Sequence, residues 1–346
     1  MLADDVGYVV GVDTHAERHA LVVVEVAGLR TRASLTIAAS RRGYRRALRL
    51  ARRQACGRRV WALEGSGCYG AGLGRFLAAR GEEVLEVERP LRGGERGRGK
   101  SDLLDAERAA RQLPSGRAGA RPRLGAETQA LRALLATREG AVAAATAAMN
   151  QLRALLVTAP PQLRESLQAR SPAALLAACA RLRPRADGSE RAACALALRS
   201  LAVRVRQLRS EADALERELA RRIERLAPEL LARRGVGPTS AAALLVAWSH
   251  RGRLRSEAAF ARLAGAAPIP ASSGKLVRYR LDRGGDRRLN RALHTIVLTR
   301  RRLDPDTQAY IARRVREGKT EREAVRCLKR YLARSLFRLM EAMPQT

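Results

Sequence analysis

Aromatic side chains are scarce in this chain: two Trp, six Tyr and three Phe among 346 residues. Its cores must be built mainly from Leu, Val and Ala, a composition that favours helices. Cysteine is scarce as well. Cys56, Cys68, Cys179, Cys194 and Cys327 lie far apart with no CxxC pair, which argues against a zinc site and a disulfide framework and fits a reducing cytoplasm. No apolar run reads as long enough to span a membrane, and the first residues carry Asp4 and Asp5 rather than a signal-peptide pattern, so no membrane partner is expected. Acidic residues are the last shortage: 34 Asp and Glu face 67 Lys and Arg, a formal net charge of +33. Such an excess calls for a polyanion, and nucleic acid leads because Arg forks match phosphate geometry and counterion release drives association. A GC-rich coding bias explains Arg over Lys but not so large an imbalance against acids.

The stretch at residues 8–15, Tyr-Val-Val-Gly-Val-Asp-Thr-His, reads as a buried strand with one carboxylate, Asp13, near its end. A carboxylate there is costly to desolvate unless paired, and a metal ion is the usual partner. Residues 19–26 and 31–37 continue as an antiparallel meander, followed by helix 41–53, strand 59–64, helix 69–80 and strand 83–87. This order is similar to the ribonuclease H architecture. It makes the first and fourth strands parallel neighbours, so Asp13 and Glu64 meet at one edge of the sheet. After an Arg- and Gly-rich loop at 89–99, Lys100-Ser-Asp-Leu-Leu-Asp opens a helix with Asp102 and Asp105 on one face. Four acids from three elements form a cage for hard divalent cations, which in pairs stabilise both oxygens of a phosphodiester displacement. Taken singly, Asp102 reads equally as a cap, Asp105 as a solvated charge and Glu64 as a strand end. His15 stands beside this site; His19, His250 and His294 have no partner visible in the sequence.

Residues 113–123 read as a Pro, Gly and Arg linker, and long helices follow. Leu131, Leu135, Val142, Ala145, Met149, Leu152 and Leu156 form one apolar stripe. Leu201, Val205, Leu208, Ala212, Leu215 and Leu219 form a coiled-coil seam. Pro160, Pro161 and the stretch 184–188 separate them, so the expected arrangement is an antiparallel hairpin serving as spacer or dimerisation element. Residues 230–247 read as helix, Gly-Val-Gly turn and helix, resembling a helix-hairpin-helix. In it Gly235 and Gly237 allow the turn, Thr239 opens a helix whose free amides suit a phosphate, and Arg233 and Arg234 add charge. The loop 266–285 holds Ser272 and Ser273, then Gly274, Lys275, Arg278, Arg280 and Arg283, with Arg287 and Arg288 opening the next helix. A serine hydroxyl among cations can attack a phosphate, although Ser-Ser-Gly alone is only a turn. Basic amphipathic helices close the chain, with Tyr310 and Phe337 read as core.

The motifs Gly-Val-Asp13-Thr-His, Leu-Glu64-Gly-Ser-Gly-Cys-Tyr and Lys-Ser-Asp102-Leu-Leu-Asp105-Ala look like the RuvC-like domain of the DEDD transposases of bacterial insertion sequences of the IS110 type. The later run Arg234-Gly-Val-Gly-Pro, Phe260-Ala-Arg-Leu-Ala-Gly, Ser-Ser-Gly and Gly284-Gly-Asp-Arg-Arg-Leu-Asn is similar to the transposase domain that follows it in that family. The resemblance covers nearly the whole chain. It implies three domains: a RuvC-like α/β domain at 1–114, a mainly α coiled-coil linker at 115–228, and a helical transposase domain at 229–346. It further implies that Asp13, Glu64, Asp102 and Asp105 hold Mg2+ or Mn2+. Ser273, with Ser272 as its rival, would be the nucleophile that forms a phosphoserine with DNA. Lys100, Lys275 and the arginines of the turn and loop are expected to contact nucleic acid. The implied partners are donor and target DNA, a structured noncoding bridge RNA and further copies of the chain as a dimer or tetramer, in the nucleoid-associated cytoplasm. Two rival readings are a metal-dependent structure-specific nuclease and a non-catalytic nucleic-acid-binding protein.

Overall fold

The computed structural model describes residues 6–87, 101–115, 119–168, 170–185, 187–270, 279, 280, 282 and 284–344. The chain divides into two compact units, Met1–Thr128 and Gln129–Thr346. In the first unit, β1 (Tyr8–Thr14), β2 (Arg18–Glu25) and β3 (Arg30–Ala38) form the expected antiparallel meander. Helix α1 (Arg41–Gln54), capped by the Ser40 hydroxyl on the Gly43 amide at 3.2 Å, carries the chain to β4 (Arg59–Glu64). Helix α2 (Ala71–Ala78) carries it on to β5 (Glu83–Val87), and both crossovers leave the new strand parallel to its neighbour. The sheet order is β3-β2-β1-β4-β5. α2 is shorter than the 69–80 read from the sequence, because Gly65, at φ +67°, opens a turn in which the Cys68 and Gly70 amides donate to its carbonyl.

Strand alternation sorts the two faces. Val10, Val12, Leu21, Val23, Ile37, Trp61 and Leu63 form one core with residues of α1 and α2, including Ala47, Ala51, Leu73 and Leu77. Val9, Ala20, Val22, Val24 and Ala62 form the other with Ala106, Ala109 and Ala110 of α3 (Asp102–Gln112). Asp13 and Glu64 fall by the same alternation on the α3 face.

The second unit is helical. α4 (Ala126–Thr158) and α7 (Glu190–Leu226) run antiparallel, joined through α5 (Pro161–Leu167) and α6 (Pro172–Ala180). One core holds Leu131 and Leu135 with Leu219 and Ile223, and another holds Met149 and Leu152 with Ala202 and Val205. Between them the hairpin carries the buried alanines Ala141, Ala145 and Ala212, and the ion pair of Arg138 with Glu216 at 2.7 Å joins the two helices. The predicted stripe on α4 is corrected at one place: Val142 is exposed and Ala141 is buried instead. In the predicted seam Val205, Ala212 and Leu219 are buried, while Leu201, Leu208 and Leu215 are half-buried. By length and composition α4 does pass as a helix able to cross a membrane, contrary to the expectation that no run would; its alanines supply the apolar character, and its buried side chains pack within the hairpin.

The proximal core continues through α8 (Pro228–Leu231), α9 (Pro238–Trp248) and α10 (Glu257–Leu263). The long loop expected after α10 contains a small ladder, β6 (Ile269–Pro270) paired antiparallel with β7 (Tyr279–Arg280). α11 (Arg287–Leu303), α12 (Pro305–Arg316) and α13 (Glu321–Ala342) complete the unit. Phe337 is buried against Phe260, with ring centroids 5.6 Å apart; Tyr310 is half-buried and meets Tyr331 edge-on.

Candidate metal site and nucleic-acid interface

Asp13, the penultimate residue of β1, is 6% exposed. What brings a second carboxylate to it is a missing side chain on the same strand. A Cβ placed on Gly11 would lie 2.0 Å from the Ala106 carbonyl oxygen and 2.5 Å from the Ala110 amide nitrogen, so α3 rests directly on the backbone of β1 there. Asp102 is one helical turn before Ala106, toward the end of the strand where Asp13 stands. His15, in the turn that follows β1, completes the group: its Nε2 is 3.0 Å from Asp13 Oδ2 and 3.5 Å from Asp102 Oδ1. One donor atom from each of the three side chains lies within 4.8 Å of the others, and no other such group occurs among the described residues.

Glu64 and Asp105, the other two acids singled out by the sequence, stand outside that group. The Glu64 backbone is tied to β1, since the Thr14 hydroxyl donates to its carbonyl at 2.8 Å. Asp105 accepts from Arg108 Nη1 at 2.9 Å. The donor set that does converge, two carboxylates and an imidazole open to solvent on the Asp102 side, suits a divalent cation. On the opposite face of the sheet His19 is fully buried. Its Nδ1 donates to the Arg18 carbonyl at 3.0 Å, its ring stacks on Tyr44, and burial holds its pKa below the usual histidine value.

In the second unit, Gly235 has φ +81° and a Cβ there would press on the Ile296 carbonyl at 3.0 Å, so this turn needs glycine. The turn lines a cleft of about 770 Å³ together with α4, α7 and α11. Several of its predicted phosphate ligands already have carboxylate partners. Arg234 pairs with Asp304 at 2.8 Å, Arg288 with Glu139 at 2.7 Å, and the Thr239 hydroxyl donates to Glu216 at 3.3 Å. Arg233, Arg280 and Arg287 are exposed. Lys100, Ser272, Ser273, Lys275, Arg278 and Arg283 lie outside the described residues.

The flanks of the serine loop are nevertheless closely set. Gly285, at φ +89°, lies where a Cβ would come 2.5 Å from the Leu263 carbonyl, and the Asp286 amide donates to that same carbonyl at 2.7 Å. Asn290 donates to the Ala264 carbonyl and accepts from Lys329 at 2.6 Å; Lys329 is buried, which lowers its pKa. Sequence spacing gave no sign of Glu139, Glu216 or Lys329, because each acts through a partner at least 23 positions away.

Two family models match the chain. One, described as a transposase and named for the DEDD transposase of IS110, matches residues 10–161. The other, described as the transposase IS116/IS110/IS902 family, matches residues 227–312. The chain is also 32% identical over 144 residues to the insertion element IS110 uncharacterized 43.6 kDa protein of Streptomyces coelicolor. That stretch is 41% of this chain and spans 36% of the relative.

Proposed function

The chain belongs to the IS110-type transposases, and on that premise we propose that it cuts and rejoins DNA at the ends and targets of an insertion sequence. The observation that carries this reading is the convergence of Asp13 and Asp102, from a strand and a helix 89 positions apart, about one imidazole. The sheet order β3-β2-β1-β4-β5 supports a RuvC-like first domain, within a functional division at 1–114, 115–228 and 229–346. Asp13 and Asp102 hold a divalent cation, with Glu64 and Asp105 drawn in beside nucleic acid. When bound, the ion supplies Lewis-acid polarisation of the scissile phosphate.

Ser273, or its neighbour Ser272, is the nucleophile. Its Oγ forms a bond to phosphorus as the bridging phosphorus–oxygen bond breaks, and the hydroxyl proton ends on the departing sugar oxygen. The phosphoserine conserves the phosphodiester's energy, so a second sugar hydroxyl can reverse the step on a different strand without an added energy source. Arg233, Arg280 and Arg287 hold backbone phosphates, joined by Arg234 and Arg288 on exchange of their carboxylate partners. Donor and target DNA are selected by a structured noncoding RNA, and the chain works as a homo-oligomer associated through the helical hairpin.

The test is trapping of protein covalently joined to DNA. Ser273→Ala or Ser272→Ala should abolish the adduct while leaving DNA binding intact, and Asp13→Asn should reduce strand cleavage by at least 100-fold, on the order of a lost electrostatic contact in a transition state. Cleavage that persists in both serine variants would instead identify a water-using nuclease. Full activity of Asp13→Asn would leave only a binding role.

A further inference from the structure

The hairpin turn between β1 and β2 holds His15 by its backbone, whose amide donates to the Arg18 carbonyl at 3.0 Å. Its ring nitrogen Nε2 then faces two carboxylates at once, at 3.0 Å and 3.5 Å. That nitrogen carries at most one proton, so a single hydrogen bond serves Asp13, and Asp102 stands beyond it at ion-pair distance. Donors on adjacent corners of an octahedral ion, each about 2.1 Å from it, stand roughly 3 Å apart, which is close to both separations. The ring is also half-exposed, 46% by side chain, and so within reach of a hydrated cation. Asp105, a ligand by family pattern, is turned instead toward Arg108.

We propose that His15 is a direct ligand of the divalent cation, making the site a mixed nitrogen and oxygen set that favours Mn2+ over Mg2+. Imidazole binds transition-series ions well and Mg2+ poorly, whereas carboxylates accept both. The inference rests on the reading of Asp13 and Asp102 as a metal site, and its test separates the two.

Mn2+ binding to the full-length protein is followed by electron paramagnetic resonance, with Mg2+ as competitor, in the wild type, His15→Ala and Asp13→Asn. The expected result is loss of Mn2+ affinity by about tenfold or more in His15→Ala. Mg2+ affinity should change little, and electron spin-echo modulation from a coordinated nitrogen should be present in the wild type and absent from the variant. His15→Ala binding Mn2+ as well as the wild type, or more tightly, overturns the inference and makes the imidazole an internal counter-charge. If Asp13→Asn also binds Mn2+ normally, the metal-site reading itself fails; if only His15→Ala does, that reading stands without the histidine.

Discussion

Glu82 holds a buried carboxylate that three side chains of the first unit satisfy, and nothing in the sequence pointed to it. It accepts from Arg59 Nε at 2.8 Å, from the Trp61 indole at 3.0 Å and from Arg52 at 3.2 Å, with 4% of its side chain exposed. Burial pushes its pKa up, but the Arg59 and Trp61 donors, with Arg52, outweigh that and hold it below the usual carboxylate value. A depressed carboxylate contributes stability at pH above its unfolded pKa and loses it as pH falls through the folded one. The first unit should therefore lose this contribution below the ordinary carboxylate range. Glu82→Gln would strand the Arg59 charge beside a buried indole, costing about 3 kcal/mol at neutral pH. Urea titration read by tryptophan fluorescence checks both statements, and a variant as stable as the wild type would show the network to be idle. Asp13 was legible because it interrupts an apolar strand; Glu82 was not, because Arg52, Arg59 and Trp61 reach it only after the sheet and α1 have assembled.

Among the elements, the strands were the most readable, since alternating Val, Leu and Ala give the two-residue period directly, and β4 and β5 fall on the expected residues. The position of α3 was harder to read. Its sequence gave the face shared by Asp102 and Asp105, but not that Arg108, three residues beyond Asp105 on that face, would take the second acid. Nor did it give the depth to which α3 settles, which depends on Gly11. Gly11→Ala places a methyl group against the backbone of α3 and should cost about 1–3 kcal/mol or more by overpacking. It should also lower metal affinity, because Asp102 moves with the helix. A variant that keeps wild-type Mn2+ affinity and the same urea midpoint would show that α3 is positioned by other contacts. The pairing of α4 with α7 was legible from the apolar stripes and the prolines between them, whereas residues 141 and 142 lie four and three positions before Ala145, so spacing alone did not choose which of them is buried.

For the whole molecule, composition is the most informative feature. With a net charge of +33, nucleic-acid affinity should fall steeply and linearly in log–log form with salt. A decline of about 10³-fold or more between roughly 50 and 200 mM is expected if six or more phosphates are neutralised. A flat response in a filter-binding or anisotropy titration would remove the electrostatic argument for a polyanionic partner. Composition does not reveal which arginines remain available: Arg138, Arg234 and Arg288 are matched internally, so the usable charge is smaller than the formal one.

The stretch of the α4–α7 hairpin at Ala141, Ala145 and Ala212, where a cavity of about 370 Å³ lies beside Ala145 and Ala212, has a mechanical consequence. Alanine packing offers little contact area to resist bending, while the cores on either side are built from larger residues and stay stiff. At 1.5 Å per residue α4 is about 50 Å long, so a tilt of about 5° about a mid-length pivot displaces the far end by roughly 2 Å. The rod is thus weakest near its middle, and a load applied to the α5–α6 end would be absorbed there as flexure before it strained the helices around the Gly235 turn.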